Sequence, residues 1–192
     1  MKYFSIVYLV LFCALHSFSQ KKKQIPKPTL NLIAKADPAK AAIIKDNLYF
    51  FILNKSVNDT IFIKKMDAIL PIDAAITPFN ANGTKLYLLT WAEKSTTKTN
   101  LKSEDKTLKY FYILEENTSK IVFSNIQLTN IIIEKVFLDQ NKNASETQTR
   151  SRKEGFECIL NPDGTITQKT TKQVNILKYN AVTSSFVSSN KK

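Results

Sequence analysis

From Asn47 onward the apolar residues fall in short runs, some alternating with polar residues and some unbroken, and each run ends in Asn, Asp, Gly, Ser or Thr. That punctuation is the mark of strands joined by tight turns. Asn47 to Leu53 (NLYFFIL) and Thr60 to Lys64 (TIFIK), separated by Lys55-Ser56-Val57-Asn58-Asp59, have the layout of a hairpin. Lys85 to Trp91 (KLYLLTW) follows Asn80-Ala81-Asn82-Gly83, whose Asn-Gly pair adopts positive φ readily. Thr107 to Leu114 and Lys120 to Ser124 bracket a turn cluster at Glu115 to Ser119.

The clearest unit is Gly155 to Gln168, where Phe156, Cys158 and Leu160 share one face before Asn161-Pro162-Asp163-Gly164. Proline fixes φ at the first central position of that turn, and glycine supplies the left-handed residue. Gln173 to Tyr179 either extends the returning strand or adds another. Ile126 to Leu138 matches both periodicities, and its β-branched Ile131-Ile132-Ile133 favours a strand.

These elements predict a mainly β fold, an antiparallel meander closing into a β-sandwich or half-barrel. One short helix is expected after Asp37-Pro38, through Ala39 to Lys45, because an acidic N-cap and a proline precede good helix formers. The adjacent β-branched Ile43 and Ile44 allow the same stretch to lead into a strand instead. Lys94 to Lys106 and Gln140 to Lys153 carry almost no apolar residues and read as loops. The expected organisation is a basic lead-in over 20–34, one β-rich domain over 35–183 and a fraying tail over 184–192.

The N-terminus changes the setting. Lys2 precedes an apolar run, Phe4 to Leu15, that is too short to span a bilayer, and Ser17-Phe18-Ser19 offers small residues for a signal peptidase. Residues 1–19 therefore read as a signal peptide, with cleavage after Ser19 and an exported chain, periplasmic or secreted, starting at Gln20. Phe12 stands where a lipoprotein signal needs a small residue, so modification at Cys13 is disfavoured. Cleavage would remove Cys13 and His16, leaving Cys158 as the single cysteine and no histidine. Such a chain must fold without an internal disulfide.

Charge comes next. The full chain carries 28 basic and 16 acidic residues, a net +12, and loss of Lys2 leaves 27 against 16, or +11. Arg150 and Arg152 are its arginines; everything else basic is lysine, scattered along the chain. Nucleic-acid recognition favours the bidentate guanidinium, so nucleic acid is an unfavoured partner. The partners this composition allows are an anionic surface polymer or another envelope protein.

Chemistry is mostly excluded. Gly83, Gly155 and Gly164 cannot build a phosphate-cradling loop, and without histidine the common nucleophilic triads and histidine metal sites are closed. No cofactor or metal is implied. Asp139-Gln140-Asn141-Lys142-Asn143 has the opening spacing of a calcium loop, but Ala144 and Arg150 stand where glycine and a closing glutamate belong. Cys158 reads as a small core residue. Glu115-Glu116 and Glu104-Asp105 read as solvated loop charges, and no carboxylate pair is singled out for catalysis.

Trp91, Tyr110 and Tyr112 are the weak ligand-binding candidates, because Tyr110 and Tyr112 share one strand face, opposite Phe111, that should be the wetter side. The expected function is an exported, non-enzymatic binding or structural module of the envelope or extracellular space. The alternatives are a carboxylate-based hydrolase of an envelope polymer, and an electrostatic binder of anionic polymer or membrane whose mark would be lysines gathered on one face.

Overall fold

The computed structural model describes residues 30–53 and 58–189. The signal peptide, most of the lead-in, residues 54–57 of the first hairpin and the last three residues of the tail lie outside the described residues. Every described element is a strand, and none is a helix. β1 (Asn31–Ala36), β2 (Ala39–Ile44), β3 (Asn47–Leu53) and β4 (Asn58–Lys65) form an N-terminal sheet. β5 (Ile72–Ala81), β6 (Thr84–Lys98), β7 (Lys102–Glu115), β8 (Lys120–Phe137) and β9 (Ser145–Glu154) form a central one. β10 (Glu157–Leu160), β11 (Ile166–Lys169), β12 (Val174–Asn180) and β13 (Ser185–Ser188) form a C-terminal one. Within each sheet neighbouring strands are consecutive and antiparallel, so the expected meander holds.

The central sheet is apolar on both faces over its first half. On β6 Tyr87, Leu89 and Trp91 enter one core with Leu48, Phe50 and Ile52 of β3, while Leu86 and Leu88 enter another with Ile166, Leu177 and Tyr179. On β7 Tyr110 and Leu114 join the first core, and Phe111 and Ile113 the second. Unbroken runs such as YLL and YFYIL are what a strand covered on both sides requires, whereas β3, buried at alternate positions, is a one-sided strand. The result is a sandwich of three layers with two cores.

Four expectations need correction. The helix after Asp37-Pro38 is β2: its helix-forming alanines instead pair with β3, Ala39 opposite Ile52 and Ala41 opposite Phe50, and those small residues are buried beside the large ones. The lead-in ends early because Asn31–Ala36 is β1, and the tail begins late because Ser185–Ser188 is β13, which places Phe186 against Tyr179 at 5.3 Å. Lys94 to Lys106 is the paired end of the β6–β7 hairpin, with a turn only near Thr99. Most of Gln140 to Lys153 is β9, paired with β8 in unbroken register.

Two glycines are required at positive φ. Gly164 closes the β10–β11 turn at φ 79, where a Cβ would lie 2.5 Å from the Asn80 carbonyl oxygen. Gly155 (φ 77) carries the chain from the central to the C-terminal sheet, and a Cβ there would lie 2.2 Å from the Ile126 carbonyl oxygen.

Candidate functional site

The structure brings Trp91, Tyr110 and Tyr112 together. They sit on β6 and β7 in the register that sets Trp91 opposite Tyr110, and the indole stacks on Tyr110 at 4.4 Å and on Tyr112 at 5.3 Å. Their face is closed at Trp91 and Tyr110 and half-buried at Tyr112. Tyr110 is as buried as Phe111, because the N-terminal sheet covers the phenolic side and the C-terminal sheet covers the other.

Glu93, which the sequence reading did not single out, holds the centre of this cluster at 3 % exposure. Its Oε1 accepts from Lys64 Nζ at 3.0 Å and from Trp91 Nε1 at 3.1 Å, and its Oε2 accepts from the Tyr110 hydroxyl at 2.8 Å. Lys64 on β4 also donates to the Tyr110 hydroxyl at 3.0 Å and lies over that ring at 4.5 Å. Burial alone would lower the Lys64 pKa, but its bonds to Tyr110 and Glu93 outweigh that and hold it above the ordinary lysine value. Burial raises the Tyr110 and Tyr112 phenols. With Lys64, Trp91 and Tyr110 all donating to it, the Glu93 carboxylate locks β4 of the N-terminal sheet to β6 and β7 of the central one.

The other acids and the thiol are similarly engaged. Glu115 is buried and Glu116 accepts from Tyr87 at 2.9 Å and Lys85 at 3.0 Å, so neither is the solvated loop charge the sequence suggested. Asp139 turns its carboxylate onto the Ala144 amide of its own loop. Cys158 is half-buried against the second core, and burial pushes its thiol up to about 11. At pH 8 its reaction with an aromatic disulfide reagent is expected to be about 100-fold slower in the folded chain than in urea, because the thiolate is the nucleophile. Equal rates in the two conditions would show the site to be open.

The region left uncovered is the far half of the central sheet: β6 beyond Glu93, β7 before Leu108, β8 beyond Leu128, and β9. Among the described residues neither core extends into it. Its two faces differ. The face continuing from the N-terminal-sheet side carries both signs, and three ion pairs join them there: Lys102 with Glu104, Arg150 with Glu134, and Arg152 with Glu154. The opposite face carries Lys94, Lys98, Lys135 and Lys153, with Lys109 where the cover ends. Asp105 is the acid among them, and it accepts from the Thr96 hydroxyl at 2.7 Å. Ser103, Thr107, Thr129, Thr149 and Ser151 lie between them, together with the exposed Ile131 and Ile133 of β8.

Where this basic face meets the C-terminal sheet it runs into a cleft of about 400 Å³ lined by Gln127, Lys153, Glu157, Lys169 and Thr170. A second cleft of about 340 Å³, beside Lys109, Asn125 and Cys158, shares Gln127 and Glu157 with it. The sequence held no signal for this face, because its lysines come from β6, β7, β8 and β9 and only the register aligns them. No family model, curated protein or solved structure matches this chain.

Proposed function

We propose that this chain is an exported, non-enzymatic binding module of the cell envelope or extracellular space, and that it binds an anionic surface polymer. The observation carrying this reading is the charge asymmetry of the uncovered half-sheet: one face sets acids against its bases in ion pairs, and the other leaves lysines facing outward among hydroxyl residues and the exposed Ile131 and Ile133. Ammonium groups spread over one sheet face suit an extended polyanion, which gains by releasing its counterions. The engagement of Glu93 and Glu116 by internal donors and the raised Cys158 thiol support a role without covalent or acid–base chemistry.

Titration with dextran sulfate tests it. Replacing Lys94, Lys98 and Lys135 with glutamine is expected to weaken binding about tenfold or more near 0.1 M salt and to flatten its salt dependence. The same charge change at Lys65, Lys120 and Lys172, exposed residues elsewhere, should do much less. Equal losses from the two triple variants would reduce the effect to bulk charge and overturn the proposal. Fractionation of the host should recover the chain from envelope or medium.

A further inference from the structure

β9 is an open edge. Its ten residues pair with β8 without a bulge, and they include no proline or glycine. The other long edge of the central sheet, β5, is interrupted by Pro78, by a register break between Ile72 and Ala75, and by Asp73 at φ 54. β1 carries its own break between Leu32 and Ala34, and β10 and β13 have four residues each. Proteins normally blunt a long regular edge, because its free N–H and C=O groups are a template for another strand.

The phase of that template follows from the β8–β9 pairing. Leu138 N–H donates to the Ala144 carbonyl at 3.0 Å, and Phe137 lies opposite Ser145, so 138 and 144 form a hydrogen-bonded pair. In an antiparallel ladder every second residue then turns its backbone to the same neighbour. The even-numbered residues of β9 therefore face β8, and Ser145, Thr147, Thr149, Ser151 and Lys153 present their N–H and C=O groups outward.

We infer that this edge takes the same edge of a second copy, antiparallel and centred on Thr149. In that register Thr149 pairs with its symmetry mate and Thr147 with Ser151, so each hydrogen-bonded position falls on a residue whose backbone is free. The intervening positions set Glu146 opposite Arg152 and Gln148 opposite Arg150, twice over about the two-fold axis. These are non-hydrogen-bonded pairs, in which side chains approach most closely and opposite charges help most. An axis perpendicular to the sheet keeps like faces on one side, so the two basic faces become one continuous surface. The inference rests on backbone phase and on the acid–base order along β9, and so stands apart from the ligand reading.

Sedimentation of the purified chain without polyanion tests it. The wild type is expected at twice the monomer mass. Glu146→Arg and Arg152→Glu should each weaken association about tenfold, since like charges then face one another, and the double reversal should restore it. Thr149→Pro removes only an outward N–H, so it should give monomer with an unchanged circular dichroism spectrum. A wild type that stays monomeric overturns the inference. A dimer indifferent to Thr149→Pro, or single reversals that the double does not repair, overturns it as well.

Discussion

Replacing Lys64 with methionine is expected to cost about 3 kcal/mol of stability, read as a fall in the urea midpoint with the slope unchanged. The loss arises at Glu93. Without the ammonium group its carboxyl stays buried between two sheets with only the neutral donors of Trp91 and Tyr110 facing it. Glu93→Gln should cost less, about 1–2 kcal/mol, because Lys64 reaches solvent at its partly exposed end while the amide keeps an acceptor for the indole. If the two variants lose equal stability, the pair is not the asymmetric lock described.

Groups in this cluster and elsewhere in both cores set an alkaline limit. Lys64, Lys85, Tyr87, Tyr110, Tyr112 and Tyr179 are all held above their ordinary pKa values. A group raised in the folded state holds its proton there after the unfolded chain has released it. Its contribution is complete below the unfolded value, near pH 10, and is lost as pH rises through the folded one. The Cys158 thiol, raised to about 11 by burial, adds a loss that begins near pH 9, so the urea midpoint should be level near pH 8, start to fall above about 9 and fall more steeply above about 10.

Gly155→Ala should be comparably damaging, at about 2–4 kcal/mol. Its φ of 77 suits glycine, and the added methyl would meet the Ile126 carbonyl, part of the β8 backbone, which cannot retreat without disturbing the ladder. The damage should be directional. Gly155 is the passage to the C-terminal sheet, and Phe156 just beyond it is held by the Asn125 amide at 2.8 Å. The second core should loosen first, binding a hydrophobic dye at urea concentrations where Trp91, in the first core, still reports a native environment. Simultaneous loss of both signals would mean that the sheets unfold as one unit.

Two of the corrected elements, β9 and the far end of β6, share a cause. Periodicity reports burial, so it locates strands that cover something: NLYFFIL, buried at alternate residues, and KLYLLTW, buried on both sides, were both legible. β9 covers nothing. SETQTRSRKE has no apolar position to betray its period and is a strand only because β8 offers a regular edge to pair with. The same holds for Lys94 to Lys98, where β6 runs on past the end of the core. β2, for which the sequence allowed either a helix or a strand, was decided differently: its alanines favour a helix locally, and tertiary pairing with β3 overrides a preference worth only tenths of a kcal/mol per residue.

For the site, Trp91, Tyr110 and Tyr112 were visible as conspicuous aromatics. Their stacking was not, since it depends on register between two strands, and neither was their burial, which depends on which sheet lies above them. By itself the sequence determined a mainly β meander, its tight turns and its net positive charge, because turn geometry, composition and alternation are local properties of the chain. The tertiary structure alone decided that there are three layers, that Glu93 lies between two of them, and that dispersed lysines share one face. Those follow from which strands run beyond the core and in what register, a relation between segments far apart in sequence that no local pattern records.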